Sequence, residues 1–494
     1  MMSGHKTLWT QAITEEIKSM QTEDVFIPVD LNDALKEVPH KSILGTKWVL
    51  TKKPERFKAR LVARGFFPIH GINYDKTFAP TPTFNFLHLL FSTSCLNNWS
   101  VRAFDVKVAF LHNLIDKPVY VWPPMGIDVP KLKVLKLNKA LYGTKQASRC
   151  WWMHIKSILQ TIGFESTGKD RSTYTLNQGN DQAILWVQID NGVLTASSPS
   201  LLNQILNQLN SSLKIKWDNN INGLVGISIT ETDNGFKFSQ PDLINKLTNL
   251  NPSKIIVKTP LPMNCQLVSN SSLSTMDKPY LKRIMILLYI AQASCPDIAY
   301  AVNYLARFSL CTDQSHWTAL EHLIAYLCGM KDMRILIHKN NKFLNFECFV
   351  DANWGGEGNR STHGYIIMHG VNPIAWQSKQ QTMIASSTAQ AEYMALSFAA
   401  KETLWIYHLL FTILKTPIPT LFLDNKTAIG ISTESMNRKQ TQHLIQDFNI
   451  INEYIAVGRL QLQWILTNEQ LGDIMTKPLG RIKHTEFVKK VNAC

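Results

Sequence analysis

The stretch Ala183–Ser197, AILWVQIDNGVLTAS, carries two apolar runs, Ile184–Ile189 and Val193–Ala196, on either side of Asp190-Asn191-Gly192. Asn-Gly between strand-like runs is a tight-turn signal, because both residues accept the positive φ of short hairpin loops. It predicts a β-hairpin with an acid at its tip. Leu224–Thr230 and Phe236–Ser239, around Asp233-Asn234-Gly235, repeat the pattern. Upstream, Trp99–Phe110 alternates like a half-buried strand, Trp48–Lys52 and Lys58–Arg64 read as strands, and Trp151–Ile162 reads as a helix.

Two acids stand out here. Asp105 lies inside the apolar strand, where an unpaired carboxylate is costly unless a cation or metal meets it. Asp190 lies at the hairpin tip. Two aspartates from separate strands are what a polymerase uses to hold the metals that bind a triphosphate and a primer 3′-hydroxyl. The plainer reading pairs Asp105 with Lys107 or Arg102 and leaves Asp190 as a turn residue, and the residues alone do not separate the two. The basic run Lys52–Arg64, KKPERFKARLVAR, suits a template or triphosphate contact and equally a solvated face.

Downstream, Asn264–Lys278 is a Ser/Asn-rich seam and Lys339–Lys342 a second one. Between them Ile284–Ala293, Ile298–Phe308 and Trp317–Leu327 show helical spacing. After Val350 the pattern is strand, hairpin (Gly364–Met368 with Pro373–Gln377), long helix (Ala389–Leu414), strand (Thr420–Leu423), helix, strand (Leu460–Leu466) and a last helix. Acids mark the element ends: Asp351 after a strand, Glu392 in the first turn of the long helix, Asp424 at a strand end, and Asp473 near the start of the last helix. Four carboxylates from four elements are the donor set for two Mg²⁺ about 3.5–4 Å apart in a phosphodiester hydrolase. The alternative makes Asp424-Asn425 a helix N-cap and Asp351 and Asp473 solvated loop acids.

Composition narrows the classes. A chain of 494 residues at about 100–200 per domain holds several cores. Its 45% hydrophobic content excludes a disordered or fibrous chain. No apolar run approaches the roughly 20 residues a bilayer requires, and Met1–Thr10 has no signal-like apolar segment. Eight scattered cysteines without Cys-x-x-Cys spacing point to a reducing, intracellular setting, cytoplasmic or nuclear, with no membrane partner. The net charge of +14 favours a polyanion.

KARLVARGF, FAPTPT, FDVKVAFLHN, LYGTKQASRCWW and the Ile189-Asp190-Asn191 hairpin together resemble the reverse transcriptase of copia-type long-terminal-repeat retrotransposons (Pseudoviridae). CPDIAYAVNYLARF continues the match. FVDANWGG, GNRSTHGY, WQSKQQ, SSTAQAEYMALS, LDNKTAI and LGDIMTKPL resemble the ribonuclease H domain of the same Pol polyproteins. The resemblance implies an α/β (α+β) chain: an N-terminal lead-in over 1–40, fingers and palm over 41–262, a linker and helical connecting region over 263–342, and a ribonuclease H-like domain over 343–494. It makes Asp105 and Asp190 the metal-binding palm acids, Phe110 a sugar gate, Arg60 or Arg64 a triphosphate contact, and Gln146 a neighbour of the nascent base pair. It makes Asp351, Glu392, Asp424 and Asp473 the nuclease ligands. Two Mg²⁺ or Mn²⁺ per site, deoxynucleoside triphosphates, an RNA template with a DNA primer, RNA–DNA hybrid, and other products of the polyprotein are the implied cofactors and partners.

The departures carry information too. The family has two adjacent aspartates at the hairpin tip, where this chain has Asp190-Asn191. Asparagine keeps the shape and removes a charge, so it is a weaker ligand for a hard cation. Phe67-Pro68-Ile69 stands where a glutamine is usual, Cys295 replaces an arginine before Pro296-Asp297, and Gln442 replaces a lysine before His443. The expectation is a partly degenerate copy, its nuclease acids complete and its polymerase weakened at Asn191. The alternative is a polymerase-inactive remnant that keeps ribonuclease H cleavage or only nucleic-acid binding.

Overall fold

The computed structural model describes residues 5–52, 56–65, 68–107, 109–168, 170–218, 221, 223–249, 255–269, 279–330, 335–339, 344–414, 416–433 and 445–491. Phe67, Gln442 and the greater part of both polar seams, 270–278 and 340–342, lie outside them. The first half contains α1 (Lys6–Thr22), the ribbon β1 (Thr46–Lys52) and β2 (Phe57–Ala63), α2 (Phe84–Asn97), β3 (Ser100–Val106), α3 (Ala147–Ile162), β4 (Thr173–Gln178), β5 (Asp181–Gln188), β6 (Asn191–Ala196) and β7 (Ile215–Asp218). The last five strands form one sheet in the order β7-β3-β6-β5-β4, with Glu165–Ser166 on its outer edge.

The expected hairpin forms, but its turn is Ile189-Asp190. Asn191 already pairs with Gln188, and Gly192 with Val187. The reason lies beneath Gly192, where a Cβ would sit 2.3 Å from the Phe104 ring and 2.7 Å from the Trp186 carbonyl oxygen. The glycine serves close packing inside the sheet rather than the turn. Ile189 instead takes φ +54°, a conformation that costs a β-branched residue about 1–3 kcal/mol. The Trp151 indole N–H donates to its carbonyl at 2.5 Å and braces it. The register then sets Asn191 opposite Asp105 on one side, and Lys216 opposite Asp105 on the other.

Helix α2 is apolar around its circumference, with every residue from Phe86 to Leu96 buried, a pattern that requires cover on all sides. The sheet supplies one side and the second half of the chain the other. That half, with the hairpin just before it, contains β8 (Ser228–Thr232), β9 (Gly235–Ser239), α4 (Tyr280–Ala293), α5 (Ala299–Ala306), α6 (Gln314–Gly329) and β10 (Ile335–His338). It continues with β11 (Phe346–Asn353), β12 (Thr362–His369), β13 (Asn372–Gln380), α7 (Thr388–Ile413), β14 (Thr420–Leu423), α8 (Lys426–Thr433), α9 (Ile445–Ala456), β15 (Gln461–Trp464) and α10 (Arg481–Lys490). The order β13-β12-β11-β14-β15 is antiparallel through β11 and parallel beyond it.

A single apolar core runs from Phe91 through Phe238 and Leu323 to Tyr365 and Leu410. His88 of α2 stacks on Trp376 of β13 with ring centroids 5.0 Å apart, and its Nε2 lies 2.9 Å from the Ala293 carbonyl. Burial pushes the imidazole down to about 4, so it is neutral at physiological pH. The helical segment expected as a connection is therefore packed into the same core as the sheets on either side of it. Among the described residues, no helix is long and apolar enough to cross a membrane.

Candidate active sites

β3 and the β5–β6 turn carry Asp105 and Asp190 to a cleft of about 1010 Å³, which both residues line. The Val106 N–H donates to the Asp190 carbonyl at 2.6 Å and ties the turn to β3. Arg102 turns its guanidinium to the Val101 carbonyl at 2.9 Å, away from the role of partner to Asp105. Asn191 completes the group, and its amide donates to Asp190 Oδ1 at 2.9 Å. One carboxylate oxygen thus faces a hydrogen-bond donor where the family's second aspartate would add negative charge. Burial holds the Asp190 carboxyl above the usual range; Asp105 adds to this, and Arg60 and Lys58 oppose it.

The ribbon supplies the basic wall, with Lys58 and Arg60 of β2 lining the cleft. The Arg60 guanidinium lies 5.7 Å from the centre of the Tyr142 ring. Three expected residues do not line this cleft. Arg64 lies past the end of β2, where its N–H is held by the Gly45 carbonyl at 2.7 Å and its side chain is exposed. Phe110 sits on the 3-10 turn Ala109–His112 after β3 ends, edge-on behind Tyr142 at 5.0 Å, so Tyr142 forms the wall. Gln146 is buried, its amide donating to the Asn73 carbonyl at 2.8 Å, because it immediately precedes α3 and ties that helix to the loop at Asn73.

In the second half, Asp351, Glu392 and Asp424 bring ligand oxygens within 4.8 Å of one another. Asp351 lies inside β11 rather than after it, Glu392 on the first part of α7, and Asp424 just past β14. Asn425, not Asp424, caps the following helix by accepting from the Ala428 N–H at 3.1 Å, which leaves Asp424 to the cluster. Burial, with the neighbouring acids, raises both the Asp351 and Glu392 carboxyls. Glu392 Oε2 is buried and has no hydrogen-bond partner among the described residues. A hard divalent cation fits this donor set, since it meets the orphaned oxygen and offsets the carboxylate repulsion.

Asp473 is not in that triad. It lies on a 3-10 turn, Leu471–Met475, well before α10, and is held by Lys477 at 2.6 Å and by Lys483. Burial alone would lower the Lys477 ammonium, but Asp351 and Asp473 more than offset it. Lys477 lies 3.6 Å from Asp351, so it joins the triad to the fourth acid.

Several residues of these sites were not among the expected ones. Gln470 donates to the carbonyls of Val350 at 3.0 Å and Phe422 at 3.2 Å, fastening β11 to β14. The Thr476 hydroxyl donates to Asp351. A Cβ on Gly472 would come within 2.9 Å of the Asp351 backbone nitrogen. Gly472, Thr476 and Lys477 lie inside LGDIMTKPL, and Tyr142 inside LYGTKQAS. The motifs pointed to these segments; the acids alone did not identify the residues.

Residues 31–257 match the family described as "Reverse transcriptase (RNA-dependent DNA polymerase)". The retrovirus-related Pol polyprotein from transposon RE1 of Arabidopsis thaliana is 31% identical over 468 residues, covering 92% of this chain and 32% of that one. The Pol polyprotein from transposon TNT 1-94 of Nicotiana tabacum is 29% identical, covering 96% of this chain and 37% of that one. The chain thus spans about a third of the length of the curated relatives it matches. The solved structure of a foamy viral protease-reverse transcriptase in complex with double-stranded DNA aligns with a TM-score of 0.50 at 12% identity, over 93% of this chain and 70% of that one, a likeness of fold.

Proposed function

Because the chain belongs to the copia-type retrotransposon Pol family with its reverse transcriptase, we propose that it is an RNA-directed DNA polymerase joined to a ribonuclease H, weakened in synthesis and intact in cleavage. The single observation that carries the reading is the convergence of Asp351, Glu392 and Asp424 within 4.8 Å, with a buried glutamate oxygen that has no hydrogen-bond partner among the described residues. We take 1–40 as lead-in, 41–262 as fingers and palm, 263–342 as connection and 343–494 as nuclease, the last three sharing one core.

In the polymerase cleft, Asp105 and Asp190 would hold the divalent ions, Lys58 and Arg60 would receive the triphosphate, and Tyr142, backed by Phe110, would bound the sugar. Bound divalent ions, Mg²⁺ or Mn²⁺ and two to a site, supply the positive charge that draws the reacting phosphate and lowers the barrier to attack on it. Asn191 contributes an amide in place of a charge, and its N–H competes for Asp190. In the nuclease, Asp351, Glu392 and Asp424 would hold the cation, Thr476 would orient Asp351, and Lys477 would join Asp473 to them. The RNA template, DNA primer, hybrid and deoxynucleoside triphosphates are the substrates of this reading.

A paired assay on the purified chain with Mg²⁺ tests it: extension of a DNA primer on RNA, and cleavage of a labelled RNA–DNA hybrid. Cleavage with feeble extension is expected, and Asp424→Asn abolishes cleavage while extension is unchanged. Full extension without cleavage overturns the reading.

A further inference from the structure

Beside the catalytic turn, and outside the cleft, two aromatic rings meet three cations. Phe78, in the loop before α2, is 57% exposed. Its ring stands edge-on to Trp152 of α3, with centroids 6.2 Å apart. Arg171 lies over the Phe78 ring at 6.0 Å, and Arg149 and Lys156 over Trp152 at 6.0 and 5.5 Å. Among the described residues, no carboxylate lies within ion-pair distance of these three cations, whereas Lys117, Lys136, Lys139 and Lys214 all have acidic partners. An exposed phenylalanine is poor for solubility, and unneutralised cations over it and the neighbouring Trp152 repel one another. The combination makes physical sense when a ligand brings both a π-face and negative charge.

The location narrows that ligand. Trp152 and Ile189 line one small hollow together with Pro80, and the adjacent Trp151 bonds the Ile189 carbonyl. The patch therefore borders the Ile189-Asp190 turn. A duplex offers phosphates but keeps its bases stacked inside, so its π-faces are not available to Phe78. An unpaired strand offers both at once.

We propose that Phe78 and Trp152, with Arg149, Lys156 and Arg171, form a stacking platform for an unpaired nucleic-acid strand next to the polymerase site. This deepens the polymerase reading and rests on it for the role of the strand as template. The binding itself is measurable without catalysis. An exposed base stacked on Phe78 is lost in Phe78→Ala, and stacking of this kind changes affinity by roughly five- to hundredfold per base. Arg171→Ser removes one phosphate contact and lowers the slope of log affinity against log salt by roughly 0.7.

The experiment titrates the full chain, in EDTA and without nucleotides, against a fluorescein-labelled single-stranded RNA 16-mer and a blunt duplex of the same sequence. Expected is a loss of at least fivefold for Phe78→Ala on the single strand, less than twofold on the duplex, and retention by Phe78→Tyr. Arg171→Ser, at an exposed site, repeats the test if Phe78→Ala destabilises the fold. Equal losses on both substrates, or none on either, overturn the proposal. Single-strand binding through Phe78 in a chain that never extends a primer would refute the polymerase reading and leave the platform standing. Extension with an unaltered single-strand affinity in Phe78→Ala would do the reverse.

Discussion

Replacing Asn191 by aspartate tests the electrostatics of the proposed polymerase site directly. The change removes an N–H donor 2.9 Å from Asp190 Oδ1 and sets a third carboxylate beside Asp190 and opposite Asp105. Two unit charges about 4 Å apart repel by about 1 kcal/mol in water and about 4 kcal/mol at an effective dielectric of about 20. Asp190 is only half-buried, so solvent screening favours the lower part of that range. The lost hydrogen bond adds about 1 kcal/mol. Without metal, Asn191→Asp is therefore less stable than the parent by about 2–5 kcal/mol. With a divalent cation the sign reverses, because the repelling charge becomes a ligand. At about 1.4 kcal/mol per tenfold, recovery of 1–4 kcal/mol is roughly five- to several-hundredfold in metal affinity. Urea unfolding in EDTA and in Mg²⁺ reads both effects, and primer extension, expected to rise by roughly 10²–10³, reads the catalytic one. A midpoint in EDTA that does not move would show that residue 191 does not face Asp190, and the reasoning would fail. A destabilised variant whose Mg²⁺ dependence is unchanged would refute the assignment of 191 as a ligand position.

Two further changes separate the roles of buried charges. Lys477→Met removes the ammonium held by Asp473 at 2.6 Å and Asp351 at 3.6 Å; the metal-free chain then loses about 3–5 kcal/mol, and Mn²⁺ affinity, followed by electron paramagnetic resonance on the whole chain, rises tenfold or more. Burial pushes the Asp297 carboxyl from 3.8 to about 6 while the Tyr326 hydroxyl donates to it at 2.7 Å. The folded chain thus holds that proton more tightly than the unfolded one, so stability falls as pH rises between these values and is level above them. Asp297→Asn keeps the Tyr326 bond and removes about 3 kcal/mol of that fall, measured as the difference in urea midpoint between pH 4 and 7.

The strands and helices were legible because their signals are local. Thr420–Leu423 matches its expected bounds, and α7, expected over Ala389–Leu414, spans Thr388–Ile413. The hairpin turn was misplaced because Gly192 meets two local demands that look alike in sequence: a glycine is needed for positive φ, and also wherever a ring presses on the backbone. Only the Phe104 ring, delivered from a strand some ninety positions upstream, decides between them. Phe110 and Gln146 failed to reach the cleft wall for a related reason. Each lies inside a motif of the site, yet a 3-10 turn redirects one and a contact with Asn73 buries the other.

Acids and cations differ in how far sequence alone locates them. An acid where an apolar run stops is marked twice, by that stop and by the cost of burying it, so Asp351 and Asp424 could be singled out before their convergence was visible. Lys477 has no such mark, since a lysine near a proline is ordinary on a surface. Its significance arises from a long-range accident of packing, in which Gly472 lets the 3-10 turn approach Asp351 closely enough for the ammonium to bridge two acids. The same asymmetry governs Asn191. The missing charge was visible in the sequence, but not the active interference, an amide N–H aimed at the remaining carboxylate. That geometry makes the substitution worse than the absence of a ligand, and it predicts that a residue without a donor at 191, such as alanine, binds metal no more weakly than asparagine does.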